Sequence, residues 1–276
     1  MLIRYGCELS LVVDRPTPAY CLVDIHPDRR AHIVEEQPLR AAPQLEFRVG
    51  HDALGNIQQR CLLPVGETTL LLSGTIRDDG QLDARDENAI AAPVMDLPAE
   101  VTTFLNGSRY CETDKLAGIA WATFGHLSPG AGMVQAICDA VHNRLTFDYQ
   151  RARATRTALE AYEERVGVCR DFTHLAITFC RCLNIPARYV NGYLGDIGVP
   201  PDPAPMDFNA WFEVYVAGKW YTFDARHNRR RIGRLTIARG RDAADVPMVQ
   251  TFGAHILKTF KVVSEEMPDP ALDTAA

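Results

Sequence analysis

No apolar run in this 276-residue chain approaches the ~18 residues that a membrane-crossing helix needs. The opening segment, MLIRYGCELSLVVDRPTPAY, alternates apolar and polar positions and lacks both the h-region and the cleavage pattern of a secretion signal. The expectation is a cytoplasmic protein with no membrane partner. Clustered charge is scarce as well: the net charge is −6, and basic residues are scattered apart from Arg229, Arg230, Arg231 and Arg234, which read as a solvated turn. A nucleic-acid partner is therefore not expected. Metal-ligand spacing is missing, because the closest cysteines, Cys180 and Cys182, are one residue apart and point to different faces of a helix. No Gly-rich phosphate loop follows a strand. The sequence thus implies neither metal nor cofactor. Its eight cysteines, in a chain without a secretion signal, read as free thiols.

What is present is a foldable composition, 47% hydrophobic and 23% charged, far from that of a disordered chain. Two domains suit the length. From Leu2 to about Arg77, runs such as LIRYGCELSLVV, AYCLVDIH, QLEFRVG and TTLLLSGTIR alternate with turn residues at Gly55-Asn56, Gly66 and Asp79-Gly80, the pattern of a β-rich module. The segment DARDENAIAAPVMDLPAEV has the composition of a linker, which places the modules at residues 1–90 and 95–265 and leaves 266–276 as a tail. Helical patterns begin after the linker. Met133, Ile137, Val141 and Leu145 share one spacing, and Phe172, Leu175, Ala176, Phe179 and Leu183 form a second apolar stripe. Asn184 and Pro186 end that helix, and the strands PARYVNGYL, NAWFEVYV and KWYTFDA follow, the last two joined at Ala217-Gly218. The expected class is α+β, with a helix packed on an antiparallel sheet.

Cys169 falls in the first turn of the apolar-striped helix, where unpaired N–H groups and the dipole favour a thiolate, so its pKa is expected below the ~8.5 of a free thiol. That is a nucleophile's position. Cysteines more often simply pack in a core, the reading given to Cys138, Cys180 and Cys182. A two-residue turn at Ala217-Gly218 pairs Val216 with Lys219 and, counting back, Trp211 with Asp224 and Asn209 with Arg226. Asn209 and Asp224 then become diagonal neighbours on one face, the places of a base and its orienting acid beside Cys169.

These residues carry a resemblance. The stretch RVGVCRDFTHLAITFCRCLNIPARYVNGYL followed by DFNAWFEVYVAGKWYTFDARHN resembles the bacterial branch of the transglutaminase-like superfamily, often described as cysteine proteases, and residues 1–80 are similar to the β-rich region that accompanies it. The resemblance implies a papain-like core, a Cys–His–Asp triad and a peptide or protein substrate. It places Cys169 as nucleophile, Asp224 as acid, and Asn209 where the family has histidine before Ala210-Trp211. Arg170 and Asp171 match neighbours that would fix the helix start. Asparagine has no basic nitrogen at neutral pH. Other sources of a base are open: the helix terminus alone, a water beside Asn209, His227, His174 or His142. His227, three residues after Asp224, would point to the opposite face on a continuing strand, and His174 lies about 140° round the helix from Cys169. Two readings follow: acyl transfer or amide hydrolysis through a Cys169 thioester, impaired at position 209, or a catalytically inactive peptide-binding scaffold.

Overall fold

The computed structural model describes residues 1–268; most of the expected tail at 266–276 lies outside the described residues. The N-terminal third forms strands β1 (Leu2–Val13), β2 (Thr17–Cys21), β3 (Ile33–Ala42), β4 (Arg48–His51), β5 (Ile57–Leu63) and β6 (Gly66–Arg77). In β1 the alternating Ile3, Tyr5, Cys7, Leu9, Leu11 and Val13 are all buried, the period of two that a strand on a core requires. The turn into β5 is closed by the Asp52 carboxylate, which accepts from the backbone N–H groups of Leu54 and Asn56 at 2.8 and 3.0 Å.

The expected linker is a docked segment. The Asp83 N–H donates to the Arg231 carbonyl at 2.9 Å, and the Arg85 guanidinium lies 4.2 Å from the Phe223 ring centre. Helices α1 (Ala99–Thr102), α2 (Thr113–Phe124) and α3 (Ala131–Arg144) come next, followed by β7 (Thr146–Phe147), α4 (Ala158–Glu164) and β8 (Val166–Gly167). Then come α5 (Cys169–Cys182), β9 (Ala187–Leu194), β10 (Asn209–Val216), β11 (Lys219–Phe223) and β12 (Arg234–Gly240), and the chain closes with β13 (Val249–Thr251) and β14 (Ile256–Met267).

Antiparallel sheets run in the order β14-β1-β6-β3, β13-β2-β5-β4 and β11-β10-β9-β12. Two of them join the ends of the chain: β13 and β14 pair with β2 and β1, and β14 runs past residue 265 into the expected tail as far as Met267. The third sheet carries α5. The fold is α+β, as expected, but α5 differs from the expected one-sided stripe, because every residue from Asp171 to Cys182 is buried. Such a helix is viable only if its polar side chains find partners. Arg181 donates to the carbonyls of Ala187, Asn106 and Arg241, and the Thr178 hydroxyl donates to the His174 carbonyl at 2.7 Å.

The β10–β11 hairpin has the anticipated register, Val216 opposite Lys219 and Phe212 opposite Phe223. Ala217 and Gly218 both have positive φ, 49° and 76°, the two-residue turn whose twist matches the strands. The pairing stops at Phe223. Trp211 with Asp224 and Asn209 with Arg226 therefore do not pair, because the chain leaves the sheet in a turn at 225–227.

Candidate active site around Cys169

The Cys169 end of the site is built by the start of α5. Val168 supplies no side-chain cap, so its N–H is taken by the Asp171 carboxylate three residues on, at 3.0 Å. A side chain on Gly167 would meet the Asp171 Cβ at 2.6 Å, which is why glycine precedes this turn. The Asp171 side chain is 0% exposed and is held by Arg156 at 3.0 Å and Arg170 at 3.2 Å. This is the fixing of the helix start anticipated for Arg170 and Asp171, with Arg156 as a partner the sequence did not reveal.

Cys169 is half-buried at this helix start. Burial pushes its thiol up to about 12, the Asp207 carboxylate adds to the shift, and the Ala210 N–H and Arg226 oppose it. The expected depressed pKa is thus reversed: desolvation and a neighbouring carboxylate outweigh the helix terminus.

The Asp224 end of the site lies past β11. Asp224 is buried, and its Oδ1 accepts from the N–H groups of Arg226 and His227, both at 2.9 Å. Its Oδ2 accepts from Arg234 and from His227 Nδ1, both at 2.8 Å. Burial opposes ionisation here, but Arg234 and the His227 contacts overcome it and hold the carboxyl well below the usual range. His227 therefore does not point away, as a continuing strand would require; the turn folds its ring onto the acid. Its Nε2 is occupied by the Arg226 guanidinium. Burial lowers its pKa despite Asp224, which keeps the ring neutral at pH 7. Arg231 and Arg234, expected on a solvated turn, are buried, with Arg234 bridging Asp224 and Asp83.

Between the two ends lies the segment Asp207–Ala210. Cys169, Asp207, Asn209 and Ala210 all line a cavity of about 560 Å³, walled further by Tyr189 of β9 and Leu257 of β14. Asp207 and Asn209 also line a smaller pocket of about 80 Å³ on their other side, which holds Tyr149, Arg226 and His227. Asn209 thus lines both the thiol's cavity and the pocket that His227 lines. Its Nδ2 donates to the Asp207 carbonyl at 3.2 Å. The other histidines serve the scaffold. His174 Nε2 accepts from the Ala243 N–H at 3.1 Å, and His142 Nδ1 donates to the Arg226 carbonyl at 2.9 Å, bracing the turn after Asp224. A separate cleft of about 390 Å³ beside Arg48, Arg60 and Cys61 has no such combination of groups.

Parts of the chain are similar to known proteins. Residues 120–225 match the transglutaminase-like superfamily. The crystal structure named "Putative Cysteine Protease from Cytophaga hutchinsonii" is 29% identical, with a TM-score of 0.84 over 98% of this chain and 91% of that one. Residues 120–225 are a transglutaminase-like domain. Curated relatives similar to parts of the chain include protein ML0607 of Mycobacterium leprae, 31% identical over 93 residues (33% of each chain), and protein Rv2569c of Mycobacterium tuberculosis, 27% identical over 160 residues (55% of this chain and 50% of that one). The chain spans a third to a half of the length of these relatives.

Within this transglutaminase-like core, Cys169 and Asn209 share a cavity, whereas Asp224 is engaged with His227 and Arg234 rather than with residue 209. The sequence did not single out Asp207 or Arg234. An aspartate two positions before the expected base was the available signal for the first, and an arginine ten residues beyond Asp224 carried none. Among the described residues there is no group of three or more His, Cys, Asp or Glu side chains that could hold a metal ion, and no helix long and apolar enough to cross a membrane.

Proposed function

We propose that this chain performs slow cysteine acyl transfer or amide hydrolysis on a peptide or protein, through a thioester on Cys169. The observation that carries this reading is the seat of Cys169 at the first residue of a buried helix, opening into a cavity large enough for a side chain or a short peptide segment. A polarised carbonyl seated there meets the sulfur at the helix terminus, where unpaired N–H groups favour developing negative charge. The slowness follows from Asn209, which cannot accept a proton, and from His227, whose basic nitrogen is turned to Arg226. Water and a primary amine both serve as acceptors in such chemistry. A cytoplasmic setting belongs to this reading and is supported by eight cysteines that are all free.

A second reading, a peptide-binding scaffold without turnover, draws support from the same asparagine together with a thiol held in its protonated form. The two part on one experiment. Incubation with 4-nitrophenyl acetate should leave an acetyl group on Cys169, mapped by mass spectrometry, and the adduct should be missing in Cys169→Ala. Nitrophenolate release equal in the two proteins, with no adduct at Cys169, would leave the binding reading.

A further inference from the structure

The chemistry above needs a proton acceptor beside Cys169, and position 209 does not provide one. Building on the acyl-transfer reading, we propose that Asp207 is that acceptor: its carboxylate takes the Cys169 proton as the sulfur attacks and returns it to the leaving group.

Placement carries the argument. Asp207 and Cys169 line the same cavity, and among the charged groups acting on the thiol the Asp207 carboxylate is the strongest. Asp207 sits just ahead of β10 and lines both the larger cavity and the smaller pocket. No charged side chain forms an ion pair with it among the described residues, in contrast to Asp171 and Asp224, which are each tied to arginines. The N–H of the adjacent Phe208 favours its charged form, and the Asn209 side chain donates to its backbone carbonyl. Asn209 is on this view a positioning residue, fixing the short segment that carries the acceptor.

The titration of Asp207 agrees with the role. Burial pushes its carboxyl up to about 6, against the pull of the Phe208 N–H, which makes it both a stronger base than a solvated carboxylate and ionised at neutral pH. On the cavity side, Cys169, Tyr189, Arg153 and Arg170 face it. From the smaller pocket the facing groups are Tyr149, Asp196, Asp202, Arg226, His227 and Arg231.

The protons balance. In acylation the S–C bond forms, the Cys169 proton passes to an Asp207 oxygen, and the scissile C–N or C–O bond breaks as that proton moves to the departing amine or alcohol. In the second half, water or an amine attacks the thioester and gives its proton to Asp207. The C–S bond then breaks, and the leaving thiolate takes that proton.

The test is the pre-steady-state acylation of the full chain by 4-nitrophenyl acetate between pH 5 and 8, with acetyl-Cys169 confirmed by mass spectrometry. The native rate should climb as pH rises through about 6 and then level off, following ionisation of Asp207. Asp207→Asn should acylate at least about tenfold more slowly at pH 7 and lose that inflection, the lower end of what a positioned base contributes being ~10²-fold. Asp207→Glu should recover part of the rate. A carboxylate that merely repels charge at the sulfur predicts the reverse, because removing it lowers the thiol pKa and speeds acylation. An Asp207→Asn variant as fast as the native protein or faster, with an unchanged melting temperature and acetyl still on Cys169, overturns the proposal while leaving the thioester reading intact. Absence of acetyl-Cys169 in the native protein overturns both.

Discussion

Replacing Asp207 by asparagine should make the protein more stable at pH 8, and the gain should vanish towards pH 4. Burial raises the carboxyl from an ordinary 3.8 to about 6. A group whose folded pKa is raised in this way binds more protons in the folded than in the unfolded chain between those two values, so stability falls as pH climbs through that window. Above about pH 6 the whole penalty is present. A shift of about two units at ~1.4 kcal/mol each sets an upper value of about 3 kcal/mol, and relaxation around the half-buried side chain brings the expected gain to about 1–3 kcal/mol. In a chain of this size that corresponds to a rise in Tm of roughly 2–10 °C. Urea titration of both proteins at pH 8 and pH 4 measures it, and taking the difference between proteins cancels the titration of Asp224 and the other carboxylates. Equal stability of the two proteins at pH 8, or a loss that is the same at both pH values, would mean that the Asp207 carboxylate is well solvated or well paired, and the reasoning about its environment would fail.

The remaining tests probe the parts around it. Arg156→Ala strips the principal partner from a carboxylate with no exposure at Asp171, and should cost about 3–5 kcal/mol in urea unfolding; a loss under ~1 kcal/mol would place that charge in water. Alkylation of Cys169 by iodoacetamide should be slower than that of free cysteine at pH 7.5 and accelerate steeply above pH 9, since its thiol is pushed up to about 12; fast labelling at pH 7 would restore the helix-terminus argument for a depressed pKa. Asn209→His introduces a basic nitrogen into the thiol's cavity and should raise acylation by about 10²-fold, whereas an unchanged rate would show that position 209 does not reach the sulfur. His227→Ala should leave acylation nearly unaltered, because Arg226 occupies the free ring nitrogen, yet cost about 1–3 kcal/mol through the loss of one hydrogen bond to the charged Asp224, whose Oδ2 keeps Arg234; abolished acylation would identify His227 as the base.

Local signals were sufficient for the elements on which the site rests. The alternation from Leu2 to Val13, the apolar stripe from Phe172 to Leu183 and the Ala217-Gly218 turn each depend on neighbours within one or two turns of chain, so the sequence alone determined β1, α5 and the hairpin register. The helix start at Cys169 was legible for the same reason. Only the tertiary structure decided what surrounds it. The strand was expected to run on past Phe223, but buried Arg234 offers Asp224 a charge partner from β12 and His142 braces the next carbonyls from α3, so the chain turns and brings His227 onto the acid. The thiol pKa was misjudged because a helix terminus is a local feature, whereas the burial and the Asp207 carboxylate that overcome it come from walls distant in sequence. Likewise, the pairing of β13 and β14 with β2 and β1 brings Leu257 to the cavity from a strand that closes the N-terminal sheet. Periodicity reports which face of an element is apolar, while the neighbours that set a side chain's charge, partner and solvent access are chosen by long-range packing.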